Sequence, residues 1–194
     1  AAVITSCGEK KQTSEFPDWA WADFQRPEGI NPIVSPDTTT VFYCPMRQDS
    51  VAWESSDTFN PAATIYDGKV VVLYRAEDNS AVGIGSRSSR LGYAYSDDGL
   101  HFNRMTVPVF YPADDNQKEL EWPGGCEDPR VAVTDDGLYV MLYTQWNRKQ
   151  ARLAVATSRD LQIWEKYGPA FAKAYGGRFF DEFSKSASIV TKLV

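Results

Sequence analysis

Histidine and cysteine are scarce. The 194 residues hold one histidine, His101, and three cysteines, Cys7, Cys44 and Cys126, with no Cys-x-x-Cys pair. A zinc site would have too few ligands, so no metal is expected. A basic stripe is also missing: 20 Lys and Arg stand against 26 Asp and Glu, a formal charge of −6, which argues against a surface that tracks a phosphate backbone. No apolar run approaches the roughly 20 residues of a membrane-spanning helix. There is no Gly-x-Ser-x-Gly elbow and no P-loop, since Gly83-Ile84-Gly85-Ser86 lacks the following Gly-Lys and reads as a flexible turn. Triad hydrolysis, nucleotide hydrolysis and an organic cofactor are therefore not expected. Aromatic residues, in contrast, are abundant: 6 Trp, 10 Tyr and 10 Phe suit a β-rich core, or a groove that stacks on the flat faces of sugar rings. The composition is that of one globular domain.

The first seven residues, Ala1 to Cys7, are small or apolar, and the chain then turns polar from Gly8 to Ser14. This step reads as the tail of a secretory signal peptide, and a cysteine at the junction resembles a bacterial lipobox, which makes Cys7 a lipid anchor. Residues 1–15 are accordingly expected to be a signal remnant and tether, and residues 16–194 the functional domain. The protein would be exported and held at a bacterial membrane, at the periplasm or cell surface, with Cys44 and Cys126 either paired or buried as thiols. An incidental Cys7 would leave it cytoplasmic.

From Phe59 onward, short alternating strands are punctuated by Asp-Gly turns. Ala63–Tyr66 and Lys69–Arg75 flank Asp67-Gly68, the strongest short hairpin signal. Leu91–Ser96 and Leu100–Arg104 flank Asp97-Asp98-Gly99. The same order returns as Arg130–Thr134 with Leu138–Tyr143, then Arg152–Thr157 with Ser158–Trp164. Gly68 to Gly137 spans 69 residues and Ser96 to Ser158 spans 62, the difference lying in the inter-hairpin loop and the excursion from Pro108 to Gly125. Four strands per unit, with an aromatic closing each second hairpin, predict an all-β fold of β-propeller type. A ring normally needs 4 to 8 blades, so this chain is expected to cover only the first two to three. Phe16 to Trp53 reads as an extended lead-in whose Trp19, Trp21, Phe24, Phe42 and Trp53 pack against the first blade, and Ser188–Val194 reads as a strand. No substantial helix is expected.

Polar residues at strand ends around a propeller channel are the first candidates for chemistry. Three clusters qualify: Thr58–Ala62, Tyr74–Asp78 and Pro123–Arg130. Asn60-Pro61 and Asp128-Pro129 stand at equivalent points of successive units, so their side chains are expected to enter one channel from neighbouring sectors. Asn60 offers a donor and an acceptor, Arg75 a fixed fork of donors, and a carboxylate can carry a proton. Such a set suits a polyhydroxylated ligand. The plainer readings are that Asx-Pro merely starts a turn and that Glu77-Asp78 beside Arg75 makes surface ion pairs. His101 lies in a Ser-x-Asp-x-x-x-aromatic pattern that recurs at Ser158–Trp164, which marks it as a solvated repeat position.

In order along the chain, Phe59-Asn60-Pro61-Ala62-Ala63, Leu73-Tyr74-Arg75-Ala76-Glu77-Asp78, Gly92-Tyr93-Ala94-Tyr95-Ser96-Asp97-Asp98-Gly99-Leu100-His101-Phe102 and Glu127-Asp128-Pro129-Arg130-Val131 resemble glycoside hydrolase family 130, the β-mannoside phosphorylases and β-mannosidases. The resemblance runs from about Pro27 to the end. It implies a five-bladed β-propeller, an anomeric inversion, Asp128 as general acid acting through a sugar hydroxyl, and Asn60 and Arg75 as holders of the mannose. Asp78, Glu127, Trp146, Arg148 and Lys185 join them as candidate substrate-binding residues. An inverting site also needs room for a nucleophile: water, with a base about 6.5–9.5 Å from the acid, or phosphate held by cations. Arg148, Arg178 and Lys185 are the available cations, and the base is expected to be Asp181, Glu182 or a residue beyond Val194. Glu127 is expected to raise the pKa of neighbouring Asp128 by like-charge proximity. Export favours hydrolysis of an oligosaccharide over phosphorolysis with inorganic phosphate as co-substrate, because a sugar phosphate made outside the cell is not available to metabolism; a carbohydrate-binding propeller without turnover is the non-enzymatic alternative.

Overall fold

The computed structural model describes residues 24–191. Cys7, Trp19 and Trp21 lie outside that range, as does the tether expected over residues 1–15. Two units are distinguished, residues 1–31 and 32–194. In the first, residues 28–30 form a turn with Gly29 at φ 75°. Phe24 is exposed rather than packed.

The second unit is built almost entirely of strands. β1 (Phe42–Cys44) and β2 (Asp49–Val51) form a small antiparallel hairpin, so the lead-in is not simply extended. β3 (Asp57–Tyr66), β4 (Lys69–Glu77), β5 (Ser89–Ser96) and β6 (Asn103–Arg104) make a four-stranded antiparallel meander. A second follows: β7 (Gly125–Val133), β8 (Tyr139–Trp146), β9 (Ala151–Ser158) and β10 (Glu165–Pro169). Among the described residues, helix is confined to the single turn α1 (Lys118–Glu121) and a 3₁₀ turn at Ala174–Gly177. Residues 188–191 form no strand.

The repeat seen in the sequence is a repeat of registers. Arg75 pairs with Phe59 and Leu91, and Thr144 pairs with Glu127 and Leu153. Each fourth strand, however, begins later than its residues suggest. Residues 100–102 and 159–164 form no strand, which starts only at Asn103 and Glu165. The cause is local side-chain bonding. Asp98 Oδ1 accepts from the amides of Leu100 and His101 at 2.8 Å each, and Asp160 Oδ1 accepts from those of Gln162 and Ile163 at 2.9 and 2.8 Å. Ser96 and Ser158 hydroxyls accept the preceding turn amides in the same way. These bonds satisfy backbone groups that would otherwise seek a strand ladder. His101 is exposed and bonds only its own turn, at Asp98.

Strand β4 is buried on both faces, which is why its sequence runs apolar without alternation. Val71 and Leu73 enter one core with Leu91, Tyr143, Met141 and Ala154, between the two meanders. Val72, Tyr74 and Ala76 enter a second core with Phe42, Val51 and fully buried Trp53, supplied by the β1–β2 segment. The aromatic residues closing the two repeats, Phe102 and Trp164, pack against these cores as half-buried residues. The 105–124 excursion is pinned by Phe110, whose ring meets that of Tyr143 edge-on at 4.7 Å. It is pinned again by buried Glu121, which accepts from Tyr143 Oη at 2.7 Å and pairs with Lys166.

The meanders join along a single parallel residue pair, Ser89 with Gly125. The Ser89 amide donates to the Gly124 carbonyl at 2.8 Å. Gly125 has φ 117°, and a Cβ there would fall 2.2 Å from the Ser89 carbonyl oxygen. Gly68, in contrast, needs only its φ of 72° and has open space around it. Gly68→Ala is therefore expected to cost about 1–2 kcal/mol through left-handed strain alone, and Gly125→Ala clearly more, because the two strands must separate. Thermal unfolding of the two variants checks the order.

Candidate functional site

The site forms where the meanders meet, and two β-bulges create it. Pairing slips between Phe59 and Ala62 on β3 and between Glu127 and Arg130 on β7. Each slip places an Asx residue in the left-handed region immediately before a proline: Asn60 at φ 45° and Asp128 at φ 51°. Such backbone is costly for a residue with a Cβ, and more so before proline. The bulges turn both side chains out of the ladder and toward each other. Asn60 Nδ2 donates to Asp128 Oδ1 at 2.8 Å, so the equivalence of the two Asx-Pro pairs becomes a direct contact.

Arg75, from β4, is clamped on every side. Its Nη1 donates to Asp128 Oδ1 at 3.1 Å, its Nη2 to Glu77 Oε1 at 2.5 Å, and its Nε to Ser89 Oγ at 3.0 Å. Nη2 also lies 2.9 Å from Glu127 Oε1, and the Phe59 ring lies 4.5 Å beneath the guanidinium. Arg75, Glu77, Glu127 and Asp128 are all nearly or wholly buried, so the pair of Arg75 and Glu77 is no surface ion pair. Lys185 reaches in from a segment without regular structure, 2.7 Å from Glu127 Oε2 and 3.2 Å from Asp128 Oδ2. That segment is docked on β9: the Leu153 amide donates to Ser184 Oγ, and Arg152 bonds the Phe180 carbonyl and the Asp181 carboxylate, each at 3.0 Å.

Three carboxylates thus face Arg75 and Lys185, and Glu77 also lies 3.6 Å from the Arg87 guanidinium, which Asp57 shares. Burial would raise the pKa of Asp128, but bonds from Asn60 and the charges of Arg75 and Lys185 outweigh it and hold the carboxyl below its ordinary value. The like-charge expectation is reversed here. Glu127 is the group pushed up, by burial first, and Arg75 and Lys185 offset this only in part. Asp128 is accordingly the anion of the free site, stabilised by three donors, and Glu127 is the residue more easily protonated.

The remaining candidates are distributed more widely. A cavity of about 250 Å³ beside the cluster is lined by Arg75, Glu127 and Lys185 and by Trp146, Ile84 and Phe183. Trp122 is half-buried against the second core. Asp78 is fully buried and pairs with Arg90 at 2.9 Å, away from the cavity. Arg148 is exposed in the β8–β9 turn, and Arg178 is exposed with its guanidinium over the Phe179 ring. Asp181 is spent on Arg152, and Glu182 is exposed. Cys44 and Cys126 are both buried free thiols; Arg90 donates to Cys44 Sγ, and burial pushes the Cys126 thiol well up. No group of His, Cys, Asp and Glu able to hold a metal occurs among the described residues. The sequence reading missed Glu77 and Ser89 as the groups that fix Arg75. The signal was the i, i+2 spacing of Arg75 and Glu77, which puts both on one face of a strand.

Fixed donors, a pair of neighbouring carboxylates and an aromatic wall make an arrangement suited to binding hydroxyls and moving a proton, which is the chemistry of carbohydrate-active proteins. The chain belongs to glycoside hydrolase family 130: the family model, described as beta-1,4-mannooligosaccharide phosphorylase, matches residues 25–192. A candidate glycosidase of Bacteroides thetaiotaomicron is 99% identical, with a TM-score of 0.89 over 93% of this chain and 52% of that one. A second structure, 69% identical with a TM-score of 0.86 over 88% of this chain and 48% of that one, comes with the statement that this family of mannoside phosphorylases contains glycoside hydrolases targeting β-1,2 mannosidic linkages in Candida mannan. A 1,2-β-oligomannan phosphorylase of Thermoanaerobacter sp. strain X514 is 37% identical over 71% of this chain and 43% of its own length. The chain thus spans about half the length of these relatives.

Two variants test the geometry. Asn60→Gly relieves left-handed strain of about 1–2 kcal/mol but removes a donor to buried Asp128, a bond worth about 1.5–3 kcal/mol, so stability is expected to be unchanged or lowered by up to about 2 kcal/mol, while binding of the polyhydroxylated ligand weakens; thermal unfolding and calorimetric titration read the two effects. Glu127→Gln reports the raised pKa. A carboxylate whose folded pKa is raised makes the wild type lose stability as pH climbs from about 4.5 through the folded value. The melting temperature of the variant, relative to wild type, should therefore rise over that window and then level off.

Proposed function

We propose that the full-length protein is an inverting β-mannoside hydrolase acting on β-1,2-linked manno-oligosaccharides, with Asp128 as general acid and Asn60 and Arg75 holding the mannose. The observation that carries this reading is the convergence of Asn60 and Arg75 on one oxygen of Asp128, beside a cavity with an aromatic wall. A five-bladed propeller ring, completed by chain beyond these residues, is part of the same proposal, as is export with a lipid anchor at Cys7.

Asp128 is ionised in the free site, so its acidity has to be generated by substrate. Lys185 is half-exposed and touches Asp128 Oδ2. A sugar hydroxyl that replaces this ammonium removes a cation that holds the pKa down, while the sugar deepens the burial that pushes it up. Asp128 then takes a proton and passes it, through the hydroxyl, to the glycosidic oxygen as the bond to the anomeric carbon breaks. Water attacking the opposite face completes the inversion, and the base that activates it lies outside the described cluster.

Electrostatics favour water over phosphate as the nucleophile. With Arg87 and its partner Asp57 counted, the four carboxylates Asp57, Glu77, Glu127 and Asp128 exceed the three cations Arg75, Arg87 and Lys185 by one negative charge, which repels a phosphate dianion. Neither Arg148 nor Arg178 lines the cavity. The relative at 69% identity, placed in a family that contains β-1,2-mannoside hydrolases, supports the same choice over the phosphorylase at 37%.

The test uses the full-length protein without residues 1–7, incubated with β-1,2-manno-oligosaccharides with and without inorganic phosphate. Free mannose released at a phosphate-independent rate is the expected result. Mannose 1-phosphate appearing only with phosphate would make the protein a phosphorylase instead. Asp128→Asn should keep affinity and lose about a thousandfold in kcat; unchanged turnover would remove Asp128 from the role of acid, and binding without turnover in the wild type would leave a carbohydrate-binding propeller.

A further inference from the structure

A cluster of charge lies outside the site described above, and it occurs twice. Arg104 of β6 donates to the Ser35 carbonyl at 2.6 Å, to Asp37 Oδ2 at 2.8 Å and to Glu54 Oε2 at 3.3 Å, and Glu54 also accepts from Tyr74 Oη at 2.8 Å. Lys166 of β10 repeats the arrangement. It donates to the Tyr111 carbonyl at 2.9 Å and to Glu121 Oε2 at 2.5 Å and lies 3.2 Å from Asp115 Oδ2, and Glu121 accepts from Tyr143 Oη at 2.7 Å. Each fourth strand thus buckles down the segment ahead of its own meander: residues 35–54 in the first copy and the 105–124 excursion in the second.

The two copies differ beside the buckle. In the first, Phe102 packs against the core that holds Phe42 and Trp53. In the second, the equivalent Trp164 borders an open cavity of about 420 Å³, whose lining includes Tyr111, Asp115, Asn116, Gln162 and Ile163, a size usual for small-ligand sites. Ile163 is 78% exposed at its lip. The cavity shares no lining residue with the one beside the carboxylate cluster. Strand β10 stands three places from β7 in the sheet, about 14 Å at the usual strand spacing.

The walls are fixed before anything binds. The Trp164 indole nitrogen donates to the Leu161 carbonyl at 3.0 Å, and the Phe110 ring meets the indole edge-on at 6.1 Å. Asp115 Oδ1 accepts from the Gln117 amide at 2.8 Å, and Asn116 Oδ1 accepts from Gln117 Nε2 at 3.0 Å, so Asn116 has its own amide protons to present. The three protons of Lys166 are spent within the buckle, and its charge is exceeded by those of Asp115 and Glu121 together. An anion is therefore repelled. What suits the space is a neutral ligand whose hydroxyls donate to Asp115 and accept from Asn116 and Gln162, and whose apolar face rests on Trp164 and Tyr111.

We propose that this cavity, at the outer edge of the second meander, is a carbohydrate-binding site separate from the reacting one, which takes a neutral sugar of a polysaccharide chain. The choice of mannan as that polysaccharide rests on the β-mannosidase reading above. A chain held at the outer edge has its linkages at raised local concentration around the carboxylate cluster, so the outer site speeds turnover of polymer and does nothing for a disaccharide.

The test compares full-length wild type with Trp164→Ala, which removes the wall, and with a double variant, Asn116→Ala with Gln162→Ala, which trims two exposed side chains and leaves the core alone. Electrophoresis through gels containing mannan reads binding, and kcat/KM for β-1,2-mannobiose reads the reacting site. Mannan affinity is expected to fall about five- to tenfold in each variant, with kcat/KM for mannobiose in the double variant within about twofold of wild type. Unchanged mannan affinity in the double variant, or a parallel loss of mannobiose cleavage, would overturn the outer site and leave the β-mannosidase reading standing. Weakened mannan binding in the variants of a protein that cleaves no mannobiose would support the outer site and overturn the β-mannosidase reading. A wild type that mannan does not retard would overturn the outer site outright.

Discussion

The site depends on one guanidinium. Among the described residues, Arg75 is the only cation fully enclosed among Glu77, Glu127 and Asp128, and buried carboxylates at such spacing are tolerable only around a fixed positive charge. Holding that charge still requires Ser89 and Glu77 behind it and Phe59 beneath it. Holding Asp128 in range requires a bulge, and the bulge requires a strained residue before a proline. The junction of Ser89 with Gly125 is what brings the strand carrying Arg75 within reach of the strand carrying the acids. Packing and electrostatics are thus a single problem here, because the strands can approach this closely only if the charges between them are matched.

Much of the architecture was legible because backbone requirements leave strong marks on sequence. Asp67-Gly68 forms the expected tight turn, with both residues at positive φ. The Asx-Pro pairs proved equivalent because a bulge of this kind accepts few residue types. The fourth strands were misread for an equally physical reason: Leu161, Ile163 and Trp164 favour a strand by type, but Ser158 and Asp160 bond the backbone first. Seen from the sequence alone, that contest between propensity and local capping is undecided.

Burial was the harder quantity to anticipate. Glu77 and Asp78 look like surface charges in a list of residues, yet both are fully enclosed, one on Arg75 and the other on Arg90. Adjacent acids suggested that Glu127 would keep its neighbour protonated; instead, donors arriving from Asn60, in the other meander, and from Lys185, far along the chain, hold Asp128 ionised. Neither sequence distance nor adjacency reports such contacts. Lys185 itself reaches the site from a stretch with no periodicity, held by Ser184 and Arg152, so no pattern could have announced its position.

The two bulges carry an amide in one copy and an acid in the other, and they meet across the junction between copies. The cluster is therefore a composite of two repeats of one register, each contributing what the other lacks. A break in the chain anywhere between Arg104 and Gly125 would leave every hairpin of both meanders intact and still put Asp128 on one piece and Asn60 and Arg75 on the other. What assembles the cluster is thus the seam between the meanders, not either meander alone.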